Sequence, residues 1–71
     1  MKKVEVDNWN RYNGKLIREG YCPHCGSDNW ETLDQGIDDE IYYYNTECNS
    51  CGGKWTDIYR MTFSSMIIEE K

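Results

Sequence analysis

Apolar and polar positions along the chain give short alternating runs separated by turn chemistry, and no stretch has the length and apolar period of a stable helix. In "WNRYNGKLIR", Asn13-Gly14 sits at the centre. Asn-Gly accepts positive φ at both turn positions of a type I′ hairpin, which would set Tyr12 beside Lys15 and Trp9 beside Arg18. Asn29 to Leu33 ("NWETL") reads as a strand, and Asp34 to Glu40 ("DQGIDDE") as a polar, glycine-bearing hairpin tip. Ile41 to Cys48 is rich in aromatic and β-branched residues and reads as the second strand. Lys54 to Phe63 reads as the third, with Trp55, Tyr59, Met61 and Phe63 on one face and Asp57 interrupting them. The tail "SSMIIEEK" either prolongs that strand or frays. The expected organisation is an N-terminal segment over 1–20 with a hairpin, a cysteine-framed β unit over 21–63, and a tail over 64–71.

Seventy-one residues make one domain. A core of this size rarely supplies more than about 3–5 kcal/mol, so such scaffolds usually carry a staple. Four cysteines are the candidate. They form two pairs, Cys22-Pro-His-Cys25 and Cys48-Asn-Ser-Cys51, each followed by glycine. A two-residue gap lets one tight turn aim both sulfurs at a single ion while its N–H groups donate to them. Pro23 fixes φ at the start of the first turn, and glycine supplies the φ > 0 that such turns need. Two such pairs about twenty residues apart match a four-thiolate metal pattern. Soft thiolates favour zinc over Mg²⁺ or Ca²⁺, although iron also takes such sites. Four thiolates close the shell, so the expected Zn²⁺ is structural and the chain is not expected to be an enzyme. His24, the single histidine, is either an alternative ligand or proton carrier, or an exposed turn residue.

"CPHC" also looks like the active site of thiol oxidases of the thioredoxin superfamily. That chemistry needs a helix starting in the motif to depress the thiolate pKa, and here "GSDNW" follows, which is turn and strand sequence. A redox pair would also leave the second CxxC unexplained, and a disulfide framework is disfavoured in a reducing setting. "MKKVEVDNWN" lacks the apolar run of a signal peptide, and no apolar run is long enough to span a membrane. The expectation is a cytoplasmic protein with no membrane association.

The formal charge is −5, unevenly spread. Residues 1–18 hold five basic and two acidic residues, whereas 19–71 hold three basic and eleven acidic ones. Duplex binding draws its affinity from cationic side chains, so nucleic-acid binding is expected to be weak and confined to residues 1–18. A net-acidic surface also serves plain solubility.

From Cys22 to about Tyr59 the chain resembles a zinc ribbon, two cysteine knuckles at one end of a three-stranded antiparallel sheet. "DDEIYYYNTECNSCGGKW" is most similar to the C-terminal ribbon of transcript-cleavage elongation factors and of RNA polymerase small subunits. Small phage and prokaryotic single-ribbon proteins share this shape. The resemblance implies that Asp39-Glu40, eight residues before Cys48 counted from Glu40, form an acidic hairpin tip. In that family the tip enters the polymerase active centre and helps hold a second Mg²⁺. The family's Arg before the tip and Pro after it are Gly36 and Ile41 here, and its N-terminal docking domains have no counterpart. The resemblance therefore implies binding or modulation of polymerase rather than efficient cleavage. A solvated turn would carry the same two acids. Tyr42, Tyr43 and Tyr44 are candidate contacts for a protein or for single-stranded bases, with alternate residues claimed by the core. Trp30 and Trp55 are expected to pack. Met61, Phe63, Ile67 and Ile68 are many apolar residues for a terminal extension, and suggest a homodimer formed through the C-terminal strand.

Overall fold

The computed structural model describes residues 2–70. These contain seven strands and no helix. The strands are β1 (Lys3–Asp7), β2 (Arg11–Tyr12), β3 (Lys15–Leu16), β4 (Trp30–Asp38), β5 (Ile41–Cys48), β6 (Lys54–Arg60) and β7 (Thr62–Glu69). Five of them form one antiparallel sheet in the order β1-β7-β6-β5-β4, and β2 and β3 form a separate hairpin. Among the described residues no helix is long and apolar enough to cross a membrane.

The expected N-terminal hairpin is present, with Tyr12 opposite Lys15 and Asn13 and Gly14 at φ 49° and 79°. The expected pairing of Trp9 with Arg18 is not. The Trp9 N–H donates to the Ile17 carbonyl, and the Ile17 N–H donates to the Asn10 carbonyl. Trp9 and Asn10 thus both oppose Ile17, a bulge in which Trp9 takes the left-handed backbone (φ 71°) usually left to glycine. Ile17 is fully buried beside this bulge.

The sheet has two strands beyond the three expected. Residues 3–7 alternate Lys-Val-Glu-Val-Asp and pair with β7 in register, Val4 against Ile68 and Val6 against Met66. The stretch read as one strand over 54–63 folds back on itself. Arg60 pairs with Thr62, so Met61 alone forms the tip, at φ 71° and fully exposed. Met61 therefore leaves the apolar face assigned to it, while Trp55 and Tyr59 keep theirs and Phe63 rejoins it from β7. The β4–β5 tip is shorter than expected, because Asp34 to Asp38 continue the strand and only Asp39 and Glu40 form the loop.

β7 is hydrogen-bonded to β1 on one side and β6 on the other. It offers no free edge to a second copy. Its apolar side chains serve the chain's own core, where Phe63, Met66 and Ile68 are buried with Ile17, Cys22, Cys48 and Trp55. Val4, Val6, Tyr12, Trp30 and Tyr59 pack around them. The core thus lies between one sheet face and the segment that carries the β2–β3 hairpin, and it includes two of the four cysteines.

Candidate metal centre

The two CxxC turns are built alike. Around the first, the Cys22 N–H donates to the Ser27 carbonyl at 2.8 Å and the Gly26 N–H to the Cys22 carbonyl at 2.9 Å. Around the second, the Cys48 N–H donates to the Gly53 carbonyl at 2.9 Å and the Gly52 N–H to the Cys48 carbonyl at 3.0 Å. Gly26 and Gly52 occupy the same left-handed position, at φ 81° and 76°. The N–H groups of His24, Ser50 and Gly53 donate to the sulfurs of Cys22, Cys48 and Cys51 at 3.3, 3.3 and 3.4 Å. Each turn thus presents donors to its sulfurs, which favours the thiolate.

The four Sγ atoms lie within 4.8 Å of one another. Across the two turns, Cys22 and Cys51 approach to 3.7 Å and Cys25 and Cys48 to 3.6 Å. A disulfide needs about 2.05 Å. A tetrahedron with metal–sulfur bonds of about 2.3 Å has edges of about 3.8 Å. The four cysteines are therefore positioned to bind a metal ion with four sulfur ligands. Cys22 and Cys48 are buried and Cys25 is exposed at the rim.

Without an ion the thiols differ. Burial pushes Cys22 up to about 12, against the N–H groups of Cys25 and His24 that pull it down. For Cys25 the Ser27 N–H lowers the value, but burial and the Cys48 and Cys51 thiols leave it raised. Burial works against the Cys48 thiolate too, yet the N–H groups of Cys51 and Ser50 and the adjacent thiols hold it down to about 7. Metal binding must displace these protons, so affinity rises with pH.

Around the sulfurs the two turns are clamped. Ser27 Oγ meets Ser50 Oγ at 3.0 Å, and the Asn49 N–H donates to the Asn29 carbonyl at 2.8 Å. His24 is not the freely exposed turn residue that is one of its two sequence readings. Its ring lies over Gly53, faces Tyr12 edge-on with centroids 6.0 Å apart, and reaches the Lys54 carbonyl at 3.4 Å. It joins the first knuckle, the second knuckle and the β2–β3 hairpin. A side chain at Gly53 would collide with that ring. The Trp30 indole N–H closes the other flank on the Gly20 carbonyl at 2.9 Å.

The other sequence-predicted residues are far from the sulfurs. Asp39 and Glu40 form the loop at the opposite end of β4–β5, roughly 27 Å from Cys48 at about 3.4 Å per residue. Asp39 holds φ 55° there, a conformation Asp tolerates better than most residues. The three tyrosines do not form one platform. Tyr42 and Tyr44 share a face, and Tyr44 meets Tyr59 edge-on at 5.4 Å. Tyr43 lies on the other face across Gly36, so close that a Cβ there would strike its ring. Sequence reasoning missed Arg60 and Met61, which join Asp39, Glu40 and Ile41 around an open cavity of about 640 Å³ between the two hairpin tips. No Gly, Pro or Asn marks the second tip.

Fold and cluster together define a small all-β protein with a four-cysteine metal site, compatible with a zinc ribbon. Compared with known proteins, the chain matches no family model, no curated protein and no solved structure.

Proposed function

We propose that the protein is a zinc-stapled interaction module without catalysis of its own, and that its partner is RNA polymerase, engaged through the Asp39–Glu40 tip. Zinc is the ion because four convergent sulfurs suit a soft cation in a closed tetrahedron and leave no position for substrate. Thiols spaced as metal ligands rather than joined as disulfides support a reducing, cytoplasmic setting.

The observation that carries the partner is the position of the two acids. They are exposed on the β4–β5 turn, at the end of the five-stranded sheet opposite the metal knuckles. The tip binds rather than cleaves. An arginine at the place of Gly36 would meet the Tyr43 ring, so the phosphate-binding group of the similar family cannot be accommodated without moving Tyr43. The test is a stalled elongation complex with the wild-type protein and with the Asp39→Ala/Glu40→Ala variant. The reading expects wild type to co-migrate with polymerase and alter elongation, and the variant to lose both effects. If neither protein co-migrates and neither changes RNA length or elongation rate, the reading fails.

A second reading, weak contact with single-stranded nucleic acid, is favoured by the N-terminal hairpin. Trp9 is 66% exposed on a left-handed backbone, and the Arg18 guanidinium stacks 4.0 Å over the Tyr21 ring. Bases stack on such groups. A labelled oligonucleotide should be released as salt rises and by Trp9→Ala. Salt-resistant binding would contradict it.

A further inference from the structure

β4 is an edge of the five-stranded sheet. The Gln35 N–H turns to the Asp34 carboxylate at 2.9 Å and so points away from β5. By the alternation of an antiparallel ladder, the N–H and C=O of Ile37 also point outward. A bulge at Leu33 separates this part of the strand from its knuckle end. The segment Asp34 to Asp38 is therefore a regular edge with main-chain groups outside the ladder on one side.

Edges are commonly blunted by charge, and β4 carries Glu31, Asp34 and Asp38. Blunting does not explain its aliphatic residues. Leu33 is 53% exposed and Ile37 66% exposed, although both sit on an edge strand. Ile37 also lines a shallow cavity of about 460 Å³ with Gln35, Gly36, Tyr42 and Tyr44. The two faces of the edge differ. Asp34, Gly36 and Asp38 share one face, and Gln35 and Ile37 share the other with Tyr42 and Tyr44.

The charge of this strand has one sign, although Lys3 and Lys54 share a cavity with Asp34, and Arg60 shares one with Asp38, from strands farther into the sheet. From Glu19 to Gly53 the chain has eight acidic residues and no Lys or Arg. A second copy of β4 would bring its own Glu31, Asp34 and Asp38 against these acids with no cation on either strand, which is unfavourable across strands. A strand that alternates cationic and apolar residues would meet the acids on one face and the Ile37 cavity on the other.

We propose that β4 is a docking edge for an extended, Lys- or Arg-bearing segment of a partner protein, added as a sixth strand along Asp34 to Asp38. Main-chain hydrogen bonds hold the segment, and alternate side chains select it. The proposal rests on the reading of the protein as an interaction module, but not on the polymerase or on the Asp39–Glu40 tip.

The probe is a fluorescent (Lys-Val)4 peptide titrated with the metal-loaded full chain, with (Glu-Val)4 as control. The expected result is saturable binding of the Lys peptide, weakened by salt, and none of the Glu peptide. Ile37→Pro removes an outward N–H and is tolerable at an edge. It should weaken binding at least tenfold while metal content stays that of wild type, and Ile37→Ala, which keeps the N–H, should weaken it less. Asp34→Lys/Asp38→Lys should lose the Lys peptide and gain the Glu peptide, which keeps the test decisive should the proline variant misfold. Equal binding of both peptides, equal affinity of the proline variant and wild type, or a mass that doubles with concentration would each overturn the proposal. Polymerase co-migration surviving Ile37→Pro and charge reversal would overturn the edge as that partner's dock and leave the tip reading standing. Peptide binding without co-migration would support the edge and remove the polymerase.

Discussion

Replacing Asp57 by asparagine should stabilise the folded protein at neutral pH. Asp57 sits on β6 between Trp55 and Tyr59, buried on the core-facing side of the sheet. One oxygen accepts the Trp55 indole N–H at 3.0 Å. Burial pushes its pKa from 3.8 up to about 6. The Trp55 bond pulls it down, and the charge of Glu19, which accepts the Tyr59 hydroxyl at 2.6 Å, pushes it further up. A folded-state pKa above the unfolded value means that the folded protein holds more protons between about pH 4 and 6. The stability contributed by the neutral carboxyl is therefore full below the unfolded value and is lost as pH rises through about 6. At about 1.4 kcal/mol per unit, the ionised group costs about 3 kcal/mol at pH 8. The asparagine amide would keep an acceptor for Trp55 and remove the charge, so the gain should be about 1–3 kcal/mol once its weaker hydrogen bond is counted. The assay is denaturant unfolding of both proteins at fixed free zinc from pH 8 down to pH 5, with metal content measured at each point because acid also displaces metal. The gap should be widest at pH 8 and shrink toward pH 5. An Asp57→Asn variant less stable than wild type at pH 8 by more than about 1 kcal/mol, or a gap that ignores pH, would show that the buried carboxylate does not carry this cost.

Gly53→Ala should cost about 1–3 kcal/mol, because the new Cβ meets the His24 ring, and His24→Ala should relieve most of that loss in a double-mutant cycle of melting curves. Glu40→Ala should leave the unfolding free energy within about 0.5 kcal/mol of wild type. Asp39→Ala should cost more, about 0.5–1 kcal/mol, because Asp39 holds φ 55°, and Asp39→Gly should restore the loss. Equal effects of Ala at 39 and 40 would contradict the turn assignment. Trp55→Phe keeps an aromatic ring but strips the Asp57 carboxylate of its donor, so it should destabilise more at pH 8 than at pH 5, as read by the same denaturant series.

The metal knuckles and the first hairpin were legible in the sequence because each rests on residues with few alternatives. Cysteine pairs at CxxC spacing and Asn13-Gly14 at a type I′ turn are local signals whose geometry hardly depends on the rest of the chain. The strand over Ile41–Cys48 was legible for the same reason, through its run of β-branched and aromatic residues. The second tip was hidden because Met61 takes a left-handed turn that its chemistry does not announce, and the pairing of β6 with β7 imposes it. Strand β1 carried a fair signal in Val4 and Val6, but five residues of alternation acquire meaning only beside β7. β7 itself read as a sticky end because its apolar residues lacked a visible partner, and the folded chain supplies that partner on both sides. The role of His24 was beyond sequence reading, since it depends on bringing together Tyr12, Gly53 and Lys54 from distant parts of the chain.

The four thiolates are expected to hold one metal ion that ties these segments together. Elemental analysis of the folded, reduced protein, paired with a thiol titration before and after chelation, tests it directly. The expected result is one zinc per chain, four thiols that become reactive as the metal leaves, and loss of tertiary structure with it, reproduced by Cys48→Ala. A folded, reduced protein with a metal content near zero, or one that keeps its fold after the ion is stripped, would contradict it.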